Sequence, residues 1–243
     1  MAAEPVFDRS GMAAEPVFDA VCVGAHPDDV EIGMGATIAK LTSAGKSVCI
    51  VDLTNGEPTP FGTPELRAQE SAAAAKLLGV TDRYTLSQAN RELFDTAEAR
   101  TELAEALRQT RPRLLFVPYP EDTHPDHIAA ARIALGARFY SKFTKTSMRG
   151  EPFYPPRVFH YMAIHMRAVV VPSFVVECAE GLSAKIDSVS AYESQFVANP
   201  ANAGFIDRVR DTARYWGQMA GVDAGEPFFA PETVALRSFE DVL

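Results

Sequence analysis

Val21-Cys22-Val23-Gly24-Ala25-His26-Pro27-Asp28-Asp29-Val30-Glu31-Ile32-Gly33-Met34-Gly35 decides how this chain is read. An apolar run of strand character stops at a histidine, two carboxylates follow across a proline, and a helical pattern then begins with glycines in its first turns. In an open α/β sheet the C-terminal ends of the strands face the ligand crevice, so a His and two Asp placed there suit binding better than core filling. Leu114-Leu115-Phe116-Val117 repeats the plan, running through Pro118-Tyr119-Pro120-Glu121-Asp122 into Thr123-His124-Pro125-Asp126-His127 and another helical run. Two strand ends, each carrying His-Pro-Asp, point to one shared site.

Outward from these segments, strands are expected at residues 47–53, 83–86 and 114–117. Helices are expected at 30–44, 64–78, 95–108 and 126–143. Thr63-Pro64-Glu65 supplies a cap, a proline at the first helical position and an early acid, and Asp95-Thr96-Ala97-Glu98 resembles a capping box. Arg67, at the start of its helix, opposes the dipole and asks for a partner. The Pro- and Gly-rich stretch 55–64 opens at a strand's C-terminal end and is a candidate lid. Beyond a long connection at 144–156, residues 157–164, 173–178 and 233–236 read as strands, and 181–195 and 206–219 as helices. The β-α alternation implies an α/β, Rossmann-like three-layer fold: a mostly parallel sheet with helices on both faces.

With 243 residues and 47% hydrophobic content the chain can bury a full core, so residues 12–243 are read as one domain. Residues 1–11 are set aside, because Met1 to Asp8 recurs as Met12 to Asp19, a duplicated start rather than a repeat array. A net charge of −9 with no basic cluster argues against nucleic acid as a partner. Cys22, Cys49 and Cys178 lie singly in apolar runs and read as buried hydrophobes of a reducing compartment. No apolar run suits a signal peptide or a membrane span, so a cytoplasmic protein with no membrane partner is expected.

Residues three apart at a helix entry share a side, so His26 and Asp29 can converge on one ion while Asp28 stays free as a nearby base. A third ligand must come from His124 or His127. Two histidines and a carboxylate with open positions suit catalytic Zn²⁺, with other divalent ions also accepted. The competing structural reading makes Asp28 and Asp29 helix caps and His127 a partly buried histidine. Three of the chain's five histidines falling in the two His-Pro-Asp segments favours the site. Gly33 and Gly35 lack the dinucleotide order and read as close-packing positions. Glu121 and Asp122 read as loop or supporting groups, and His160 and His165 as core or surface residues, with His165 able to border the pocket. No serine elbow occurs.

Ala25-His26-Pro27-Asp28-Asp29-Val30-Glu31-Ile32-Gly33 together with His124-Pro125-Asp126-His127 resembles the PIG-L/LmbE-like zinc de-N-acetylases, which act on N-acetylglucosamine-containing substrates. Val51 to Thr54, Glu65 to Arg67 with Glu70, Phe116 to Asp122 and Ser190 to Phe196 are similar to the branch that deacetylates N-acetylglucosaminyl malate in bacillithiol biosynthesis. The Ser87-Gln88-Ala89-Asn90-Arg91 segment departs from that branch. The resemblance implies His26, Asp29 and His127 as zinc ligands, Asp28 as general base, His124 as a charged oxyanion-side histidine oriented by Asp126, and Arg67 as a substrate contact. It also implies a homo-oligomer, a trimer or hexamer. The alternatives are a deacetylase of N-acetylglucosamine or chitin-type oligosaccharides, a thiol-conjugate amidase, and a non-catalytic metal- or sugar-binding protein.

Overall fold

The computed structural model describes residues 17–162, 165 and 170–235. The duplicated residues 1–11 and residues 163–164 of the expected fifth strand lie outside them. Seven strands, β1 (Ala20–Gly24), β2 (Val48–Thr54), β3 (Asp82–Gln88), β4 (Leu114–Pro118), β5 (Arg157–Tyr161), β6 (Phe174–Glu177) and β7 (Gly225–Phe229), form one sheet in the order β3-β2-β1-β4-β5-β7-β6. The first five are mutually parallel, and β7 runs antiparallel between β5 and β6. Strand order reverses between β1 and β4, the switch point where an open α/β sheet forms its crevice.

The helices are α1 (Asp29–Ser43), α2 (Pro64–Leu77), α3 (Ala97–Thr110), α4 (Pro125–Tyr140), α5 (Leu182–Ser190), the single turn α6 (Glu193–Phe196) and α7 (Phe205–Ala220). Alternate residues of each strand point to opposite faces. Val21, Val23, Cys49 and Val51 therefore pack with Leu103 and Leu107 of α3 and Ile133 of α4. Ala20, Cys22, Val48 and Ile50 pack with Val30, Met34 and Ile38 of α1. Covering on both faces explains why β1 and β2 are apolar without alternation. Thr63 caps α2 where the sequence indicates, accepting from the Leu66 N–H, whereas α3 is capped by Thr96, accepting from the Ala99 N–H, one residue after the Asp95 of the expected capping box. No helix among the described residues is long and apolar enough to cross a membrane.

Two expectations change. The last strand is β7, not residues 233–236: residues 233–235 carry no strand, and 236 lies outside the described residues. Gly225-Glu226-Pro227 argues against an interior strand by composition, yet the buried Glu226 is neutralised by Lys185 from α5, 2.5 Å away. The helix expected over 181–195 is broken at Tyr192, where the chain leaves helical geometry and the hydroxyl donates to Glu31 at 2.7 Å.

Helix α1 is itself two pieces. Met34 has φ −149° and ψ 22°, interrupting the helix, and Glu226 accepts from the Ala36 N–H at 3.1 Å and the Thr37 N–H at 2.6 Å. A carboxylate from β7 thus caps the second piece. The first piece, with its two aspartates, is held against the sheet by Gly33, where a Cβ would collide with the Tyr161 ring.

Candidate active site

The two His-Pro-Asp segments meet at the C-terminal ends of β1 and β4. Thr54, ending β2, donates both its N–H and its hydroxyl to the Ala25 carbonyl, fixing where β1 turns away. Asp28 then takes the left-handed conformation, φ 114°, at the N-cap of α1, yet its side chain makes no capping hydrogen bond. Such a backbone is strained for a residue with a side chain and persists where surrounding contacts enforce it. The capping explanation of Asp28 therefore fails: its Oδ2 instead accepts from Arg67 Nη2 at 2.7 Å.

Asp29 is the meeting point. His26 Nδ1 lies 3.5 Å from Asp29 Oδ2, and His127 Nε2 lies 3.2 Å from Asp29 Oδ1. The outward nitrogens are also held, His26 Nε2 by Asp126 Oδ2 at 3.2 Å and His127 Nδ1 by Asp122 Oδ2 at 2.8 Å. One ligand atom from each of His26, Asp29 and His127 falls within 4.8 Å of the others. Two imidazoles and a carboxylate, with a carboxylate behind each imidazole, are a donor set that suits zinc, so these residues could hold it. His26, His124 and Asp126 also meet that spacing.

The electrostatics favour a cation here. Burial alone would lower both imidazoles, but the carboxylates outweigh it: Asp126 and Asp29 bring His26 up to about 9, and Asp29 and Asp122 bring His127 up to about 10. Burial likewise opposes ionisation of Asp29, which the paired histidines hold well below its ordinary value. Asp122 sits at about 2, its burial overcome by His127 and by the His124 N–H. Asp28 differs, because burial pushes it up to about 7 against the pull of Arg67.

Asp126 corrects one sequence expectation. Its carboxylate reaches His26 and accepts the Arg91 N–H at 2.7 Å, so the ring it orients is His26 rather than His124. His124 is the N-cap of α4, its Nδ1 accepting the Asp126 N–H at 3.2 Å. That bond assigns the ring proton to Nε2. Burial, with His127 and His26 nearby, lowers the His124 pKa.

Arg67 enters from the first turn of α2. Its Nη2 also donates to the Pro27 carbonyl at 2.5 Å, and its guanidinium lies 5.1 Å from the Tyr192 ring centre. Nε and Nη1 have no hydrogen-bond partner among the described residues. Beneath the site, Arg83 forks onto Asp52 at 2.6 and 2.9 Å and reaches Glu31 at 2.5 Å, tying β2, β3 and α1. Six of the seven residues singled out from sequence, His26, Asp28, Asp29, Arg67, His124 and His127, line one pocket of about 240 Å³, whose sides include Gly56 and Thr59 after β2, Asn90 and Arg91 after β3, and Gln195 and Asn202, and the seventh, Asp126, reaches it through His26. The 87–91 departure thus borders the pocket.

Sequence reasoning missed the Arg83 network and underweighted two residues. His165 lines the pocket, its ring 5.4 Å from that of His127, whereas His160 is buried with Nδ1 2.7 Å from the Pro118 carbonyl, the core role expected. Asp122 supports a candidate ligand. Its place five residues before His127 was the available signal.

A family profile described as PIG-L, GlcNAc-PI de-N-acetylase, matches residues 21–138. The diacetylchitobiose deacetylase of Thermococcus kodakarensis is 28% identical over 213 residues, 82% of this chain and 78% of that enzyme. A 1D-myo-inositol 2-acetamido-2-deoxy-alpha-D-glucopyranoside deacetylase of Catenulispora acidiphila is 36% identical over 149 residues, 47% of this chain, which spans about half (49%) of that relative. The crystal structure of a conserved protein from Thermus thermophilus superposes with a TM-score of 0.83 at 39% identity, covering 90% of this chain and 97% of that one. With the His26, Asp29 and His127 cluster in place, this chain belongs to the PIG-L family, as an N-deacetylase hydrolase.

Proposed function

We propose that this protein removes the acetyl group from an N-acetylglucosamine glycoside, releasing acetate and the free amine, with a diacetylchitobiose-type disaccharide as the favoured substrate. The observation that carries the reading is a buried carboxylate, Asp28, released from capping and placed beside a three-donor metal cluster. A pure binding site has no use for it. The named relatives act on diacetylchitobiose and on an inositol glycoside. They support the oligosaccharide alternative better than the malate conjugate, whose bacillithiol assignment is not carried further.

His26, Asp29 and His127 would hold the zinc ion, which when bound supplies Lewis acidity, polarising the amide carbonyl and making water acidic near neutral pH. Asp28 takes the proton of the attacking water and returns it to the departing nitrogen, a role suited to a carboxyl raised to about 7. His124 donates to the oxygen on which charge develops, an interaction typically worth about 3–4 kcal/mol. Arg67 steadies Asp28, and its two buried, unpartnered nitrogens would be available to the substrate. Asp126 and Asp122 hold the ligand rings in orientation.

The test is acetate release from N,N′-diacetylchitobiose, N-acetylglucosamine, its inositol glycoside and its malate conjugate, with zinc content measured on the same sample. Release fastest from the disaccharide supports the proposal. A preference for the inositol or malate glycoside reassigns the substrate, and zinc-loaded protein inert on all four sinks the reading. A homo-oligomer, trimeric or hexameric, is part of the proposal, with light scattering as its measurement.

A further inference from the structure

A second cavity, about 850 Å³, lies beneath α7 and shares Ile32, His165, Asn202 and Phe205 with the metal-site pocket, so the two spaces adjoin. It falls within the ~300–1,000 Å³ range of small-molecule sites, whereas the 240 Å³ pocket suits one ring and its acetamido group. Nothing in the deacetylation step itself uses the larger space.

Its lining has two characters. Helix α7 contributes Phe205, Val209, Ala213 and Trp216, which recur on one face, with Arg208 and Thr212 alongside. Opposite them stands the buried Lys185–Glu226 pair. The Phe205 ring stacks on Phe196 at 4.6 Å and 8°, fixing the wall between the two spaces. A flexible acyl chain gains nothing from a buried ion pair and loses by passing polar groups. A sugar ring has an apolar C–H face for the aromatic strip and a hydroxyl edge for Arg208, Thr212 and Asn202.

We propose that the cavity beneath α7 binds the second ring of the substrate, a pyranose or comparable polyhydroxylated ring joined to the acetamido sugar, and so selects glycosides over the free monosaccharide. This rests on the deacetylase reading above. The ring enters past His165 and Phe205, and Trp216 forms its apolar platform.

Trp216 is the chain's one tryptophan, so its emission reports occupancy of the cavity without need of turnover. In the full-length Asp28→Asn protein, N,N′-diacetylchitobiose is expected to change Trp216 emission at concentrations where N-acetylglucosamine does not. In the otherwise unaltered enzyme, Val209→Trp, which fills the cavity, and Arg208→Ala, at an exposed position, should each lower the ratio of kcat/KM for disaccharide over monosaccharide by about tenfold. Emission changes that are equal or absent for the two sugars overturn the proposal, as does a ratio unmoved in Arg208→Ala whether or not Val209→Trp folds. Absence of acetate release from every acetamido sugar would count against the deacetylase reading alone, because the Trp216 titration still decides the cavity.

Discussion

Arg67 Nη2 lies 2.7 Å from Asp28 Oδ2, and both side chains are buried. A cation at the start of a helix is locally unfavourable, and a carboxyl raised by burial is poorly ionised. Each residue supplies what the other lacks, and the pair brings α2 and the entry of α1 to one side of the pocket.

Replacing Asp28 by Asn keeps the shape and hydrogen bonding of the side chain but removes the proton acceptor. Turnover should fall about a hundred- to ten-thousand-fold with zinc content unchanged. Near wild-type acetate release would take Asp28 out of the base role.

Arg67→Ala leaves the Asp28 carboxyl buried without its counter-charge. Breaking a buried pair from one side typically costs about 3–5 kcal/mol, readable in urea unfolding of the metal-free protein. Arg67→Lys should recover part of that stability but not the KM, because one ammonium cannot replace the unpartnered Nε and Nη1. Equal KM in the Lys variant and wild type would show that those nitrogens do not meet substrate.

Asp29→Ala and His127→Ala should lose zinc by elemental analysis, whereas His124→Ala should keep zinc and lose rate. Asp122→Asn and Asp126→Asn act through the rings they hold, weakening metal affinity about 10- to 100-fold. Zinc lost from His124→Ala and retained in His127→Ala would reverse the two histidines.

The Lys185–Glu226 pair makes an unusual prediction about double variants. Replacing both members of a buried pair by apolar residues is often neutral, but Glu226 also accepts from the Ala36 and Thr37 N–H groups. Lys185→Met with Glu226→Leu should therefore stay destabilised, by about 1–3 kcal/mol for each N–H left unpaired. A double variant as stable as wild type would mean that the broken helix α1 does not need its carboxylate cap.

Asp19 gives the pH dependence. The Ser47 N–H donates to its carboxylate at 3.0 Å and lowers its pKa from the ordinary 3.8, with burial a smaller opposing influence. A depressed folded-state pKa stabilises above the unfolded value and loses that stabilisation as pH falls through the folded one. Asp19→Asn should leave a smaller drop in Tm on acidification below pH about 4 than wild type shows. Parallel Tm curves for the two proteins would refute the linkage.

Much of the site was legible because its signals are local. An apolar run ending in His26-Pro27-Asp28-Asp29 marks a strand's end within ten residues, and the i, i+3 relation of His26 and Asp29 holds in the structure. The same locality explains the failures. Strand β7 carries a glycine and a proline, and a lysine on α5 with two N–H groups of α1 makes its glutamate tolerable in the core. The family resemblance implies that Asp126 orients its neighbour His124, whereas its carboxylate lies against His26, 100 residues away in the chain.

The amino-acid sequence by itself determined the β-α order as far as α4, the places where those strands stop, and the residue types deposited there, because propensity, capping and periodicity act over a few residues. Only the tertiary structure decided which imidazole faces Asp29, that Arg67 grips Asp28, that Asp126 serves His26, and that a second cavity adjoins the site. Those outcomes depend on the strand order placing β1 beside β4 and on α7 arching over β7. Both are properties of how distant segments pack rather than of any segment's own sequence.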